Sequence, residues 1–137
     1  MKVRIEADRR AMSAVAATHA AESIRRAIDR HGKARIVAAT GASQLDFLAA
    51  LTSATGIDWP RVELFHLDEY AGLPESHPAS FRRYLREHLI DPTRLGTYHF
   101  LDGEGNLDEV RARVGRALAE SVAPDRARAG IPARCRS

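Results

Sequence analysis

Cysteine is nearly absent from this chain of 137 residues: Cys135, close to the end, stands alone. An intrachain disulfide and a cysteine-built metal cluster are thereby excluded. Lysine is almost as scarce, with only Lys2 and Lys33, neither near the motifs below, so imine chemistry has no evident lysine nucleophile. No stretch approaches the roughly 20 apolar residues of a membrane span. The opening residues, MKVRIEADRR, lack the apolar run of a signal peptide. A soluble, cytoplasmic protein without a membrane partner is expected. Neither GxGxxG nor GK[ST] occurs, which argues against a dinucleotide or a nucleoside triphosphate. His66, His77, His88 and His99 invite a metal reading, and His66-x-Asp68 could supply two ligands. No HxxxH or HExxH brings two imidazoles onto one helix, however, so neither a metal nor another cofactor is expected.

What is present suits one globular domain, since 45% of the residues are hydrophobic. The net charge of +3 is confined to the tail: from Ala123 onward Arg126, Arg128, Arg134 and Arg136 face only Asp125, and the rest of the chain is balanced. A short arginine-rich tail without aromatic or hydrogen-bonding readers is weak support for nucleic-acid binding, so that partner is not expected.

The polar–apolar alternation of residues 2 to 6 predicts a short edge strand. Asp8 then offers a cap for a helix over residues 9 to 31, with Ala14, Ala17, Ala21, Ile24 and Ile28 on one face and Gly32 as its stop. Residues 35 to 39, RIVAA, read as a buried strand ending at the turn Thr40-Gly41-Ala42-Ser43. Helical spacing resumes with Leu45, Leu48, Ala49 and Leu51. After the break at Ile57-Asp58-Trp59-Pro60, a strand through Val62, Leu64 and Phe65 stops at residues 66 to 68. Two strands joined through a helix make a right-handed βαβ unit, which brings Thr40 and Asp68 to one sheet edge. Phe81, Tyr84, Leu85, His88 and Leu89 mark a further helix, opened by Pro78 in its first turn, with Arg82, Arg83 and Arg86 pointing elsewhere. A short strand over residues 97 to 101 follows. The last helix is capped by Asn106, with Leu107, Val110, Val114, Ala117 and Leu118 inward. The expected fold is α/β: an open, mostly parallel sheet with flanking helices, Rossmann-like and three-layered.

Two places carry chemistry. The turn Thr40-Gly41-Ala42-Ser43 lies between a strand and a helix N-terminus, where backbone N–H groups and the helix dipole favour an anion; two hydroxyls add donors, and Gly41 permits close approach. Such turns also occur in α/β folds for structural reasons alone, with Ser43 as a mere cap. Asp68 and Glu69 follow a strand on the same edge, where open sheets bind ligands. A carboxylate there could take a carbon-bound proton beside a carbonyl. By spacing alone, the pair could equally start a turn or pair with an arginine.

Taken together, VAATGASQLDFLAAL and FHLDEYAGLPESHPASFRRYL resemble the glucosamine-6-phosphate deaminase (isomerase) family, within the wider superfamily that includes 6-phosphogluconolactonase. The likeness runs from about Ile36 to Phe100 and is most specific from Leu67 to Phe81. It implies that Asp68 carries a proton from C2 to C1 of the open-chain amino sugar phosphate through an enolamine, yielding fructose 6-phosphate and ammonia. It makes Thr40, Gly41, Ala42 and Ser43 the phosphate loop, with Ala42 and Ser43 where Gly and Thr often stand. Glu69 and Tyr70 become supports of the acidic loop. A sugar phosphate is then the small-molecule partner, and a homo-oligomer stays open.

The family's later GxGxxGHxAFNEP segment, which carries the ring-opening histidine and acids, has no counterpart here. Residues 124 to 131, PDRARAGI, resemble its approach but set arginines where a buried strand would be apolar. Residues 1–122 are therefore expected to be the N-terminal part of the family domain, and 123–137 an aberrant basic tail from a reading frame truncated or shifted near Asp125. Little turnover and a tendency to self-associate are expected of such a chain. A lactone hydrolase of the same superfamily and a non-catalytic sugar-phosphate-binding module remain the alternatives.

Overall fold

Asp8 opens the first helix as its position predicts: its Oδ1 accepts from Ala11 N at 2.8 Å, and α1 runs Arg9–His31. It stops at Gly32, whose φ of 75° is left-handed and whose N–H reaches Ile28 O at 2.8 Å. Ala17, Ala21, Ile24 and Ile28 are buried as expected, but Ser13 is buried and Ala14 exposed, a small rotation of the inward face. The computed structural model describes residues 3–120. The aberrant tail expected over 123–137, with its PDRARAGI stretch, lies outside the described residues.

The predicted edge strand at the start does not form. Residues 3–6 join no strand among the described residues, and Val3 and Ile5 are 71% and 90% exposed. Alternation marks a segment able to sit on a sheet, but a strand exists only through a neighbour, and no sheet edge meets this one.

Three parallel strands form the sheet in the order β1 (Ala34–Ala38), β2 (Val62–His66), β3 (Thr97–His99). The register pairs Ala34 with Val62, Ile36 with Leu64 and Ala38 with His66. A 3-10 turn at Ala42–Gln44 leads into α2 (Leu45–Thr52), which makes the crossover. β3 ends two residues short of the expectation. On one face of the sheet Ala34, Ile36, Val62, Leu64 and Tyr98 join the core with Ile24 and Ile28 of α1, Leu48 and Leu51 of α2, and Leu85 and Leu89. Leu64 and Leu85 have no exposed surface; burying each such side chain contributes on the order of 2 kcal/mol.

The helical stretch after β2 starts later than predicted. Pro78 lies in the turn before it, and Ser80 is the cap: its Oγ accepts from Arg83 N as α3 (Phe81–Leu85) begins. The stretch continues through a π-helical segment, Arg86–Ile90, into α4 (Asp91–Thr93). Before α5 (Leu107–Glu120), Asn106 Oδ1 accepts from Asp108 N at 3.0 Å and Glu109 N at 3.3 Å. Val114 is buried, whereas Leu107 and Leu118 are largely exposed, so the expected five-residue stripe is only partly covered. The reason is the sparse second layer. On that face of the sheet, Arg35 lies 4.6 Å over the Phe65 ring, bonds Glu63 at 3.0 Å, and donates to the carbonyls of Ala117 and Leu118 in α5. Val37 beside it stays 59% exposed. The parallel sheet with helices on both sides is the expected α/β architecture.

Candidate active site

Both halves of the candidate site stand at one edge because β1 and β2 run parallel and end in register. Leu67 N donates to Ala38 O at 3.3 Å, which extends the pairing just beyond the strands. From there β1 leads into the 40–43 turn and β2 into Asp68.

Gly41 has φ 133° and ψ 162°, a backbone shape that side-chain-bearing residues rarely adopt. Its carbonyl accepts from Gln44 N at 3.0 Å and from the Tyr84 hydroxyl at 2.8 Å, which ties the turn to α3. Ser43 is not the cap of α2: it lies inside the 3-10 turn, exposed, and no side chain caps the helix. Its hydroxyl is thus available to a ligand. Thr40 Oγ1 is buried and has no hydrogen-bond partner. Asp46, a carboxylate in the first turn of α2 that would repel a phosphate, is paired with Arg9 Nε at 2.9 Å.

Asp68 and Glu69 are adjacent in sequence and opposite in circumstance. Asp68 is exposed and makes no hydrogen bond or ion pair among the described residues. The Glu69 side chain is 1% exposed and locked. Its oxygens accept from the backbone N–H of Tyr70 (3.0 Å), Phe81 (3.0 Å) and Arg82 (2.9 Å), from Ser80 Oγ (2.9 Å) and from Arg82 Nε (3.3 Å). Sequence spacing sends Arg82 outward, and here the structure corrects it. Arg82 is 4% exposed and holds Glu69, Asp102 Oδ1 (2.8 Å), Leu73 O (2.7 Å) and Glu104 Oε2 (3.4 Å). The signal was available: Arg82 shares the i, i+3, i+7 face with the buried Leu85 and Leu89. The Glu69 carboxylate, brought in from the loop after β2, explains how a guanidinium can be buried there.

The acidic loop is braced a second time by Gly103, packed against the Tyr70 carbonyl where no Cβ would fit, while Gly72 N donates to Gly103 O at 2.6 Å. The Tyr70 ring packs 4.9 Å from that of Phe81 and is half exposed. Asp68 is therefore an exposed carboxylate beside a loop held in place by Glu69 and Gly103. The histidines are dispersed: His77 Nδ1 accepts from Ala79 N at 3.1 Å, His88 lies against Tyr84 at 4.7 Å, and His99 bonds Glu63 at 2.8 Å. Among the described residues no group of three His, Cys, Asp or Glu side chains could hold a metal, and no helix is long and apolar enough to cross a membrane. A cleft of about 450 Å³ opens along β1 among Ile24, Phe47, Leu48 and Leu51. Its lining is mostly apolar, with Ser23, Arg35 and Gln44 as the polar members, and contains no acid.

Burial alone would raise the Glu69 carboxyl. The three backbone N–H groups and Ser80 override it and hold the carboxyl at about 2, below its ordinary 4.5. A carboxylate whose folded value is depressed stabilises the fold above its unfolded value, and that contribution disappears as pH falls through the folded one. About 3 kcal/mol of stability is thus expected to vanish between roughly pH 4.5 and 2. Urea titrations across that range check this, and Glu69→Gln should flatten the dependence.

A family model described as glucosamine-6-phosphate isomerases/6-phosphogluconolactonase matches residues 7–132. A glucosamine-6-phosphate deaminase from Streptomyces avermitilis is 34% identical over 94 residues, covering 66% of this chain and 36% of the relative. Glucosamine-6-phosphate deaminase 2 of Giardia intestinalis is 43% identical over 58 residues, 41% of this chain and 22% of its own. Among solved structures, a monomeric glucosamine-6-phosphate deaminase superposes with a TM-score of 0.76 at 22% identity, over 89% of this chain and 51% of that one. A 6-phosphogluconolactonase from Shewanella baltica gives 0.66 at 25% identity, over 86% and 49%. The chain thus spans about a third of the curated relatives and half of the solved ones.

Proposed function

Because this chain belongs to the family of glucosamine-6-phosphate isomerases and 6-phosphogluconolactonase, we propose that it carries one side of a sugar-phosphate site that acts on glucosamine 6-phosphate, converting it to fructose 6-phosphate and ammonia. The observation that carries this reading is the contrast at the tip of β2: Asp68 free and exposed, directly beside Glu69 held by five hydrogen bonds. A base must reach its substrate, and its position must be fixed.

Asp68 is the group that takes the C2 proton of the open-chain aldose and returns it at C1. Thr40, Gly41, Ala42 and Ser43 bind the phosphate through backbone N–H groups and hydroxyls at the start of α2. Glu69 and Tyr70 hold the loop that presents Asp68. The ring-opening groups that the resemblance implies have no counterpart in this sequence, so ammonia release by the 137-residue chain alone is expected to be slow.

Lactone hydrolysis is the second reading, favoured by the likeness to the Shewanella 6-phosphogluconolactonase. A substrate panel separates the two. Calorimetric binding of glucosamine 6-phosphate, with ammonia as the product of any turnover, is the expected result. Acid release from 6-phosphogluconolactone without ammonia would overturn the first reading in favour of the second, and sugar-phosphate binding by the wild type without any proton exchange at C2 would leave a binding module.

A further inference from the structure

His66, the last residue of β2, is 4% exposed, and neither ring nitrogen has a hydrogen-bond partner. A neutral imidazole carries one donor and one acceptor, and buried polar groups are nearly always paired. Leaving both unpaired is unfavourable, and a leucine or phenylalanine could occupy the position without that cost. The ring's packing neighbour is the Phe100 ring, at 5.6 Å and edge-on, which offers nothing of the kind. Among the described residues two further buried polar side-chain atoms lack a hydrogen-bond partner: Glu6 Oε1, outside the sheet, and Thr40 Oγ1. Thr40 and His66 converge: Ala38 pairs with His66 across the sheet, and Thr40 follows Ala38 by two residues. Unsatisfied polar atoms thus cluster where the two strands deliver the anion turn and Asp68, and not elsewhere in the sheet.

We propose that His66 is a further substrate-contacting residue, an imidazole that hydrogen-bonds an oxygen of the sugar phosphate's open chain between the 40–43 turn and Asp68. This rests on the proposed sugar-phosphate site and deepens it. Burial pushes the imidazole down, toward the neutral form; of the charged groups facing the ring, Glu69 and Asp68 favour its protonation and are outweighed, while Arg82 acts with burial. A neutral ring can donate to a carbonyl or hydroxyl oxygen from one nitrogen and accept from a hydroxyl at the other. An imidazolium could only donate, and would pair with Asp68 instead, removing the base.

The test is ¹⁵N-detected imidazole NMR of the 137-residue wild type titrated with glucosamine 6-phosphate and, separately, with inorganic phosphate. At saturation with the sugar phosphate, the His66 nitrogens are expected to shift to one hydrogen-bonded tautomer. Inorganic phosphate should move the amides of residues 40–43 and leave the ring nearly unmoved. His66→Phe, which keeps the packing, should weaken sugar-phosphate binding about tenfold, the loss of one well-made hydrogen bond. His66→Asn, which keeps a donor and an acceptor, should stay within about threefold of wild type. Sugar-phosphate binding that leaves the His66 resonances unmoved overturns this inference and spares the proposed site. No binding of sugar phosphate by the wild type overturns both. The wild-type titration decides even where a variant fails to fold.

Discussion

Replacing Arg82 with alanine is expected to lower the free energy of unfolding by about 3–5 kcal/mol, the cost of leaving a buried partner charge uncompensated. Set against the roughly 5–15 kcal/mol that holds an ordinary domain together, this is a large share. The expectation follows from what Arg82 joins. Its guanidinium touches Glu69 on the loop after β2, Leu73 O at the end of that loop, and Asp102 and Glu104 on the turn after β3. Removing it leaves Glu69 with its N–H and hydroxyl donors but without the one cation in contact, and frees the 102–104 turn from the loop. Urea denaturation followed by circular dichroism measures the effect. A loss under about 1 kcal/mol would mean that the backbone donors alone hold the Glu69 charge. The paired change Glu69→Gln with Arg82→Met should recover part of the loss, because it removes both charges together.

Asp68→Asn should leave the fold and the ligand affinity almost untouched and abolish proton transfer. Asp68 makes no hydrogen bond or ion pair among the described residues, so the amide replaces the carboxylate without breaking a contact. The work proposed for it is chemical. A positioned general base contributes about 10²–10⁴ in rate. Solvent deuterium entering C2 of glucosamine 6-phosphate reads that step directly. Spontaneous ring opening feeds it, so the measurement does not depend on groups absent from this chain. The expected outcome is a fall of at least about a hundredfold in exchange with calorimetric affinity changed less than about threefold. Exchange that persists in Asp68→Asn would move the base elsewhere, and Glu69, at about 2 and saturated with donors, is ill suited to replace it.

The two carboxylates show where sequence reading stops. Adjacent in the chain, they could each have been a base, a turn acid or an ion-pair partner. Glu69 is the ion-pair partner: its fate depended on Ser80, Phe81 and Arg82 arriving from α3, and contacts at such separations leave no local periodicity. The charge of Arg82 argues for solvent, its spacing to Leu85 and Leu89 argues for burial, and only the arrival of Glu69 decides for burial. In the sequence His66 offers only the pattern of a possible metal ligand. That both its nitrogens would lie buried and unpaired could not be read before the strand end was packed.

The sequence by itself determined the βαβ unit, α1 with its Asp8 cap and Gly32 stop, and the meeting of the 40–43 turn with Asp68 at one edge. Each follows from local periodicity, capping chemistry and the fixed hand of the crossover. Tertiary structure alone decided that residues 3–6 would find no strand to pair with, that Arg82 would be enclosed by three acids, and that a histidine would lie unsatisfied beneath the candidate base. Burial and hydrogen-bond partnership belong to the packed chain, because they depend on which distant groups arrive at the same place.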